Sequence, residues 1–330
     1  MLNNKVVLIT GGTGSFGQAF TKIILERYKP KKVIIFSRDE FKQHEMAKHF
    51  SKREHNIRFF LGDIRDKDRL ERAFDGVDYV VHAAALKQVP ALEYNPMEAV
   101  KTNVLGANNI VEAALNKNVK RVVALSTDKA VNPINLYGAT KLVAEKIFID
   151  ANAYGGGRTD FSVVRYGNVI ASRGSVIELF LDLKNKGISE FPITDERMTR
   201  FWMTINQSVE LVIKALEETK GGEIFVPRIP SMKLVDLARA IDLKCVFRIT
   251  KIRAGEKMHE VLISEDESRR ARSFDGMYVI LPQFFGTQKI HKKYSKYKTM
   301  PRNFVYRSDT NECWLTVKEL QGAIKATSNI

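Results

Sequence analysis

Tyr137-Gly138-Ala139-Thr140-Lys141 sets a phenol and an ammonium four residues apart, on one face of a helix. An unperturbed tyrosine has a pKa of about 10 and is a poor base near neutrality. A neighbouring cation favours the phenolate and brings it into range to take a proton from a sugar or alcohol hydroxyl. Just upstream, Ser126-Thr127-Asp128-Lys129 follows an apolar strand and puts an acid and a second amine side by side. A Y-x-x-x-K pair on its own is ordinarily a surface feature. Its place after that strand end, and after a phosphate-type glycine loop, is what points to chemistry.

The loop is Thr10-Gly11-Gly12-Thr13-Gly14-Ser15-Phe16-Gly17, between the apolar run Val6–Ile9 and an amphipathic helix. Glycines at 11, 14 and 17 permit a tight turn and let backbone N–H groups approach a pyrophosphate at the helix start. Their spacing is G-x-x-G-x-x-G, not the G-x-G-x-x-G of the older dinucleotide fingerprint. An NAD site would place an acid after the second strand; here the chain reads Phe36-Ser37-Arg38-Asp39-Glu40, with Lys42 nearby. Arg38 suits adenine stacking and a 2′-phosphate, with Ser37 as an added donor, so NADP is the expected cofactor. The expected cofactor contacts are Gly11, Thr13, Gly14, Ser15, Phe16, Gly17, Ser37, Arg38, Asp39, Glu40 and Lys42. Asp63 and Ile64 after the third strand, Ala83, Ala84 and Ala85 after the fourth, and Tyr137, Lys141 and Val169 complete them.

Positioning these residues requires strands whose C-terminal ends share one edge. Short β-branched runs at Val6–Ile9, Lys32–Phe36, Ile57–Phe60, Tyr79–Val81, Arg121–Leu125 and Phe161–Arg165 alternate with helical spacing at Gln18–Arg27, Glu40–Phe50, Asp66–Phe74, Met97–Asn116 and Tyr137–Ala151. That alternation predicts an α/β fold: parallel βαβ units in a doubly wound, Rossmann-like sheet. After Phe161 the alternation weakens, and a smaller C-terminal substrate-binding lobe is expected. The boundaries are 1–168 for the NADP-binding part, 169–282 for the lobe, with the chain crossing back to the sheet, and 283–330 for a basic, aromatic segment of little periodicity.

Composition sets the limits. The 330 residues are 44% hydrophobic and 28% charged, which excludes wholesale disorder, and no apolar run reaches membrane-spanning length. Val6–Ile9 leads into glycines and so reads as a buried strand, not a signal peptide. A cytoplasmic protein is expected. Cys245 and Cys313 support neither a disulfide framework nor a zinc site, and no metal is expected. The 53 basic and 38 acidic residues give a net charge of +15, which nucleic acid, anionic membrane or small polyanions could each explain. No nucleic acid or membrane insertion is expected, and the interleaved Lys292-Lys293-Tyr294 and Lys296-Tyr297-Lys298 read as solvated surface.

Longer motifs narrow the reading. They include His82–Lys87, Glu93-Tyr94-Asn95-Pro96, Lys101-Thr102-Asn103, Leu125–Ala130, Asn132–Lys141, Phe161–Asn168, Ser172–Val176, Pro192–Trp202, Gly221–Pro230 and Arg253–Glu260. With these the chain resembles the extended short-chain dehydrogenase/reductase family and, within it, the short soluble form of the inverting UDP-N-acetylglucosamine 4,6-dehydratases, which also epimerise C5. Asp128-Lys129 carries the distinction, since retaining dehydratases generally have Asp-Glu there. The resemblance implies that NADP⁺ takes hydride from sugar C4 while Tyr137 accepts the hydroxyl proton, beside Thr127, with Lys141 on the nicotinamide ribose. A neutral Lys129 then removes the C5 proton, and protonated Asp128 donates to the departing C6 hydroxyl. Hydride returns to C6 and C5 is reprotonated on the opposite face, so NADP is recycled in each turnover. Implied substrate contacts are Lys87, Asn168, Val176, Thr194, Arg197, Arg253 and Glu256. Also implied are a homo-oligomer, dimer or hexamer, and a product for bacterial surface-glycan or nonulosonic (pseudaminic) acid synthesis. Departures occur at Gln88, where the family often has histidine, and at Ile170-Ala171. A C5-retaining dehydratase, a 4-epimerase and a non-catalytic NADP sensor remain alternatives.

Overall fold

The structure is a computed structural model that describes residues 1–50, 56–170, 172, 174–283 and 287–328. Ala171 and Arg173, within the motif around Gly174, lie outside the described residues. Six parallel strands, β1 (Val6–Thr10), β2 (Lys32–Ser37), β3 (Ile57–Leu61), β4 (Tyr79–His82), β5 (Arg121–Thr127) and β6 (Asp160–Tyr166), pair in the order β3-β2-β1-β4-β5-β6. They read as nearly continuous apolar runs because both faces of the sheet are covered. Along β1, Leu8 enters one core with the helices Gly106–Asn116 and Leu136–Tyr154, while Val7 and Ile9 enter the other with Ser15–Arg27 and Ile205–Glu218. The strand order reverses between β1 and β4, and the crevice above such a reversal is where open α/β sheets bind ligands.

Three later strands return to this sheet. Ile224–Pro227 pairs parallel to β6, and Met277–Ile280 and Ala271–Phe274 follow antiparallel. A third core, with Ile177, Phe180, Phe191, Trp202 and Leu237, lies under two small sheets that include Thr199–Met203 and Glu190–Ile193. The basic C-terminal stretch is more ordered than its pattern suggested. It holds helices Thr287–Tyr294 and Val317–Ser328; Ile290 and Tyr294 are buried in the second core, and Leu320 and Ile324 in the third. Helices this short carry too few apolar positions for a period to stand out.

The expected helix Met97–Asn116 is interrupted. Pro96–Ala99 and Gly106–Asn116 are α-helical, but Val100–Leu105 between them is a π-helical turn. The wide turn carries buried Asn103, whose amide accepts from Leu86 N (2.9 Å) and donates to Leu86 O (2.9 Å) and Thr140 Oγ1 (3.1 Å). It thereby fixes the loop after β4 against the helix Leu136–Tyr154, a use typical of π-turns near sites. Among the described residues, no helix is long and apolar enough to cross a membrane.

Candidate active site

The strand ends open into a cleft of about 940 Å³. Gly11 sits at φ +65°, and a Cβ there would lie 2.8 Å from Ala84 N, so loop and post-β4 segment touch backbone to backbone. A Cβ on Gly17 would lie 2.3 Å from Gly12 O, and one on Gly12 would lie 2.8 Å from Ile35 Cγ2. Gly12, absent from the expected contacts, is thus as constrained as its neighbours. The helix Ser15–Arg27 begins at Gly14 with no capping side chain and no acid in its first turn. Its first N–H groups are therefore left for an anion. Thr13 Oγ1 and Ser37 Oγ are 2.9 Å apart, tying the loop to β2.

After β2, Asp39 caps the helix Glu40–His49 by accepting from Lys42 N (3.0 Å), and its carboxylate also pairs with Lys42 Nζ (2.9 Å). These bonds hold its carboxyl below the usual range. Asp39 is thereby committed to its own helix, whereas Arg38 is exposed at the cleft edge, 3.7 Å from Asp63 Oδ2. Burial pushes Asp63 up, but hydrogen bonds from Arg65 (3.0 and 2.8 Å) bring it below the ordinary range. Of the expected cofactor contacts, all but Glu40 line the cleft. Glu40 lies in the first turn of its exposed helix and points no group into the cleft lining.

At the end of β5, Thr127 caps the short turn Asp128–Ala130 by accepting from Lys129 N (3.4 Å). This turns Asp128 inward, fully buried, and leaves Lys129 facing the cleft. Asp128 Oδ1 accepts from Thr127 Oγ1 (2.9 Å) and Lys129 Nζ (3.0 Å), while Oδ2 is buried with no hydrogen-bond partner. Lys129 Nζ is also 3.5 Å from Asn168 Oδ1. The helix Leu136–Tyr154 packs directly on this turn, since a Cβ on Gly138 would lie 2.1 Å from Lys129 O. Gly138 is therefore what allows the helix to bring Tyr137 up to Asp128 and Lys129. Asn135 caps the helix (Gly138 N, 2.8 Å), and its amide donates to Gly255 O (2.8 Å), joining the 253–260 segment to the same corner.

The electrostatics set the resting charge of these groups. Lys129 is not neutral at rest. Burial favours the free amine, but Asp128 and then Glu260 outweigh it and hold the ammonium above the usual lysine range. Nor is the Tyr137 phenol lowered. Burial raises it, and the cation opposing that rise is Lys129, aided by Thr127, not Lys141. Lys141 is itself brought down to about 8 by burial, with Glu145 resisting.

On the substrate side, Lys87, Asn168, Val176, Thr194, Arg253 and Glu256 line the cleft. Arg197 does not: it is 78% exposed and forks onto Asp195 (3.0 and 2.7 Å), two residues away. In its place stands Arg200, buried, 3.6 Å from Glu256 and 3.8 Å from Glu260. Lys257, donating to Val131 O (2.6 Å), and buried Glu260 also reach the cleft near Lys129. Both were unassigned within the quoted Arg253–Glu260 motif, and no spacing rule singles them out.

Residues 7–282 match the model of a family described as polysaccharide biosynthesis protein. The chain is 50% identical to a UDP-N-acetylglucosamine 4,6-dehydratase (inverting) of Campylobacter jejuni subsp. jejuni serotype O:2, covering 99% of each. It is 45% identical to a UDP-glucose 4-epimerase of Rickettsia typhi, covering 85% of this chain and 84% of the other. Among solved structures, Pen from Bacillus thuringiensis superposes with a TM-score of 0.90 at 39% identity over 100% of both chains. DesIV, a dTDP-glucose 4,6-dehydratase from Streptomyces venezuelae, shares the fold at 20% identity and a TM-score of 0.72, covering 98% of this chain and 97% of its own. Fold, cleft and near-complete alignment to such relatives agree: the chain belongs to the polysaccharide biosynthesis protein family.

Proposed function

We propose that the chain is an inverting 4,6-dehydratase/5-epimerase acting on UDP-N-acetylglucosamine with NADP as its recycled cofactor. The observation that carries the reading is the hydrogen-bonded Asp128–Lys129 pair, packed through Gly138 against the helix that bears Tyr137 and Lys141. The Campylobacter relative, 50% identical over 99% of both chains, is named a UDP-N-acetylglucosamine 4,6-dehydratase (inverting), which supports the reading.

The cofactor fits the cleft. Backbone at Gly11 and Ala84 leaves no room for a side chain, the uncapped helix start offers N–H groups for a pyrophosphate, and Arg38, with Asp39 turned to Lys42, favours a 2′-phosphate over free ribose hydroxyls. When bound, the nicotinamide supplies a reversible hydride acceptor. Tyr137 takes the C4 hydroxyl proton, with Lys129 and Thr127 favouring the phenolate, and Lys141 holds the ribose. The 4-ketone acidifies C5–H. One proton is shared along the 3.0 Å contact between Lys129 Nζ and Asp128 Oδ1, so ammonium–carboxylate and amine–carboxylic acid are two forms of one pair. In the second form Lys129 takes the C5 proton as Asp128 gives its proton to the departing C6 hydroxyl. Water leaves, and the pair ends as the ion pair seen at rest. Lys87, Asn168, Val176, Thr194, Arg253 and Glu256 bind the UDP-sugar. The 4-keto-6-deoxy product suits bacterial surface-glycan or pseudaminic acid synthesis. A homo-oligomer completes the reading, with exposed Tyr94, Met97 and Leu105 as apolar surface for it.

The Rickettsia relatives favour a second reading, 4-epimerisation. One experiment separates them: UDP-N-acetylglucosamine in deuterated water, followed at C4, C5 and C6 by NMR. Deuterium at an inverted C5 with a C6 methyl is expected. A C4 epimer with unlabelled C5 overturns the dehydratase reading, and label with retained configuration overturns inversion.

A further inference from the structure

Behind the Tyr137–Lys141 face lies a buried ionic cluster that the chemistry above does not use. Arg165, 1% exposed, binds two carboxylates. It donates to Glu145 through Nε (3.0 Å) and NH2 (2.6 Å), and to Glu267 through NH1 and NH2 (both 2.9 Å). Ser126 Oγ, at the end of β5 and in the cleft wall, donates to Glu145 Oε1 at 2.5 Å. The Arg270 guanidinium lies near Glu267 and Arg165, so the two carboxylates meet two cations, and Glu145 is the carboxylate held at the end nearest the cleft wall, by Arg165 and Ser126. One helical turn before Glu145 on the same helix is Lys141, 5% exposed.

We propose that Glu145 is a positioning residue for Lys141: its carboxylate, clamped by Arg165 and Ser126 one helical turn from the buried lysine, keeps that lysine protonated at the cleft wall, as its place beside the cofactor ribose and Tyr137 requires. This rests on the dehydratase reading for what Lys141 does, not for the charge coupling itself.

The other groups around Lys141 do not supply that charge. His82, at the end of β4, is held neutral by burial, its pKa lowered to about 3, with Lys141 adding to the effect. Glu93, from the helix Val89–Tyr94, is bonded to Leu136 N (2.6 Å) at the helix start. Asp128 and Lys129, from the turn after β5, pair with each other. Arg165 of β6 is a cation bound to Glu145 and Glu267. Glu145 alone opposes the burial that brings Lys141 down to about 8.

The test is competitive acetylation of Lys141 against pH on the full chain without substrate, read by peptide mass spectrometry, in wild type, E145Q, E145D and E267Q. E145Q and E267Q each remove one carboxylate from the same guanidinium, but only the first faces Lys141. Wild type titrates near pH 8. E145Q moves the midpoint down by about one unit or more, E145D by less, and E267Q leaves it within a few tenths. An unmoved midpoint in E145Q, or an equal shift in E267Q, overturns the proposal. If E145Q does not fold, E145D against E267Q decides by the same comparison. Turnover is not needed, so failure of the dehydratase reading, seen by NMR on wild type, is a separate result.

Discussion

Asp128→Asn removes the capacity to hold and release a proton while keeping most of the local geometry. An amide oxygen in the Oδ1 position still accepts from Thr127 Oγ1 and Lys129 Nζ, which lie at 2.9 and 3.0 Å. The amide nitrogen takes the place of Oδ2, an atom already buried without a partner. Stability should therefore fall by no more than the ~1–3 kcal/mol of an unsatisfied buried group. The loss of proton transfer to the C6 hydroxyl is larger, ~10²–10⁴-fold in kcat, or about 3–5 kcal/mol. The earlier steps should survive. Tyr137 is untouched, and Lys129 loses the first of the two carboxylates that hold its ammonium, so its free amine becomes more accessible. With substrate in deuterated water, the variant should form reduced nicotinamide and place deuterium at C5 of recovered sugar, while little C6 methyl appears. Stopped-flow absorbance and NMR read these separately. Methyl formation within tenfold of wild type refutes the assignment of Asp128 as the acid. Loss of reduced nicotinamide with cofactor still bound refutes the separation of steps.

Gly11→Ala places a Cβ 2.8 Å from Ala84 N in a left-handed backbone region, and calorimetry should show at least tenfold weaker dinucleotide binding with a stability loss of ~1–3 kcal/mol; unchanged affinity would remove the loop from the cofactor site. Arg38→Ala should weaken NADP by ~10–100-fold through a lost charged hydrogen bond, with little change for NAD, and equal loss for both would defeat the NADP assignment. Lys141 titrates at about 8, below its ordinary value because of burial, so its cation is present at lower pH and disappears as pH rises. Single-turnover C4 oxidation should thus fall above pH 8, by about tenfold per unit, and a rate flat to pH 10 would show that the charge is not required.

The parts of this site that were legible in the sequence are those where backbone geometry dictates residue type. Gly11 and Gly17 have no alternative at their close contacts, and the six strands are long enough in β-branched residues to declare themselves. Asp128-Lys129 was legible through adjacency, since neighbours in sequence at a strand end must share a corner. Residues that arrive from afar were not. Glu260 lies more than a hundred positions beyond Lys129, and the packing of the 253–260 segment against Asn135 and Val131 brings it in. Arg197 and Arg200 are alike in sequence, but one is paired to Asp195 in solvent and the other is buried beside Glu260. The π-turn at Val100–Leu105 leaves no mark in an apolar period that simply continues across it.

Charge state was the least legible property, and the two lysines of the site show why. Both are buried enough that desolvation favours the neutral amine. Sequence places a carboxylate near each: Asp128 next to Lys129, Glu145 one turn from Lys141. Yet one lysine is raised and the other is lowered. The difference is in what else each carboxylate serves. Asp128 accepts directly from Lys129, with a threonine hydroxyl as its other hydrogen-bond partner and Lys257 only as a more distant cation, and Glu260 adds to its effect. Glu145 shares its charge with Arg165, which binds both its oxygens, so only a remainder acts on Lys141. A carboxylate's effect on a buried amine is thus set by the competing cations around it. That arrangement leaves Lys129 with a firmly held proton hydrogen-bonded to Asp128, and Lys141 with one that a modest change in its surroundings removes. The same cleft can therefore hold a tightly coupled proton pair for the elimination and a weakly held cation beside the cofactor.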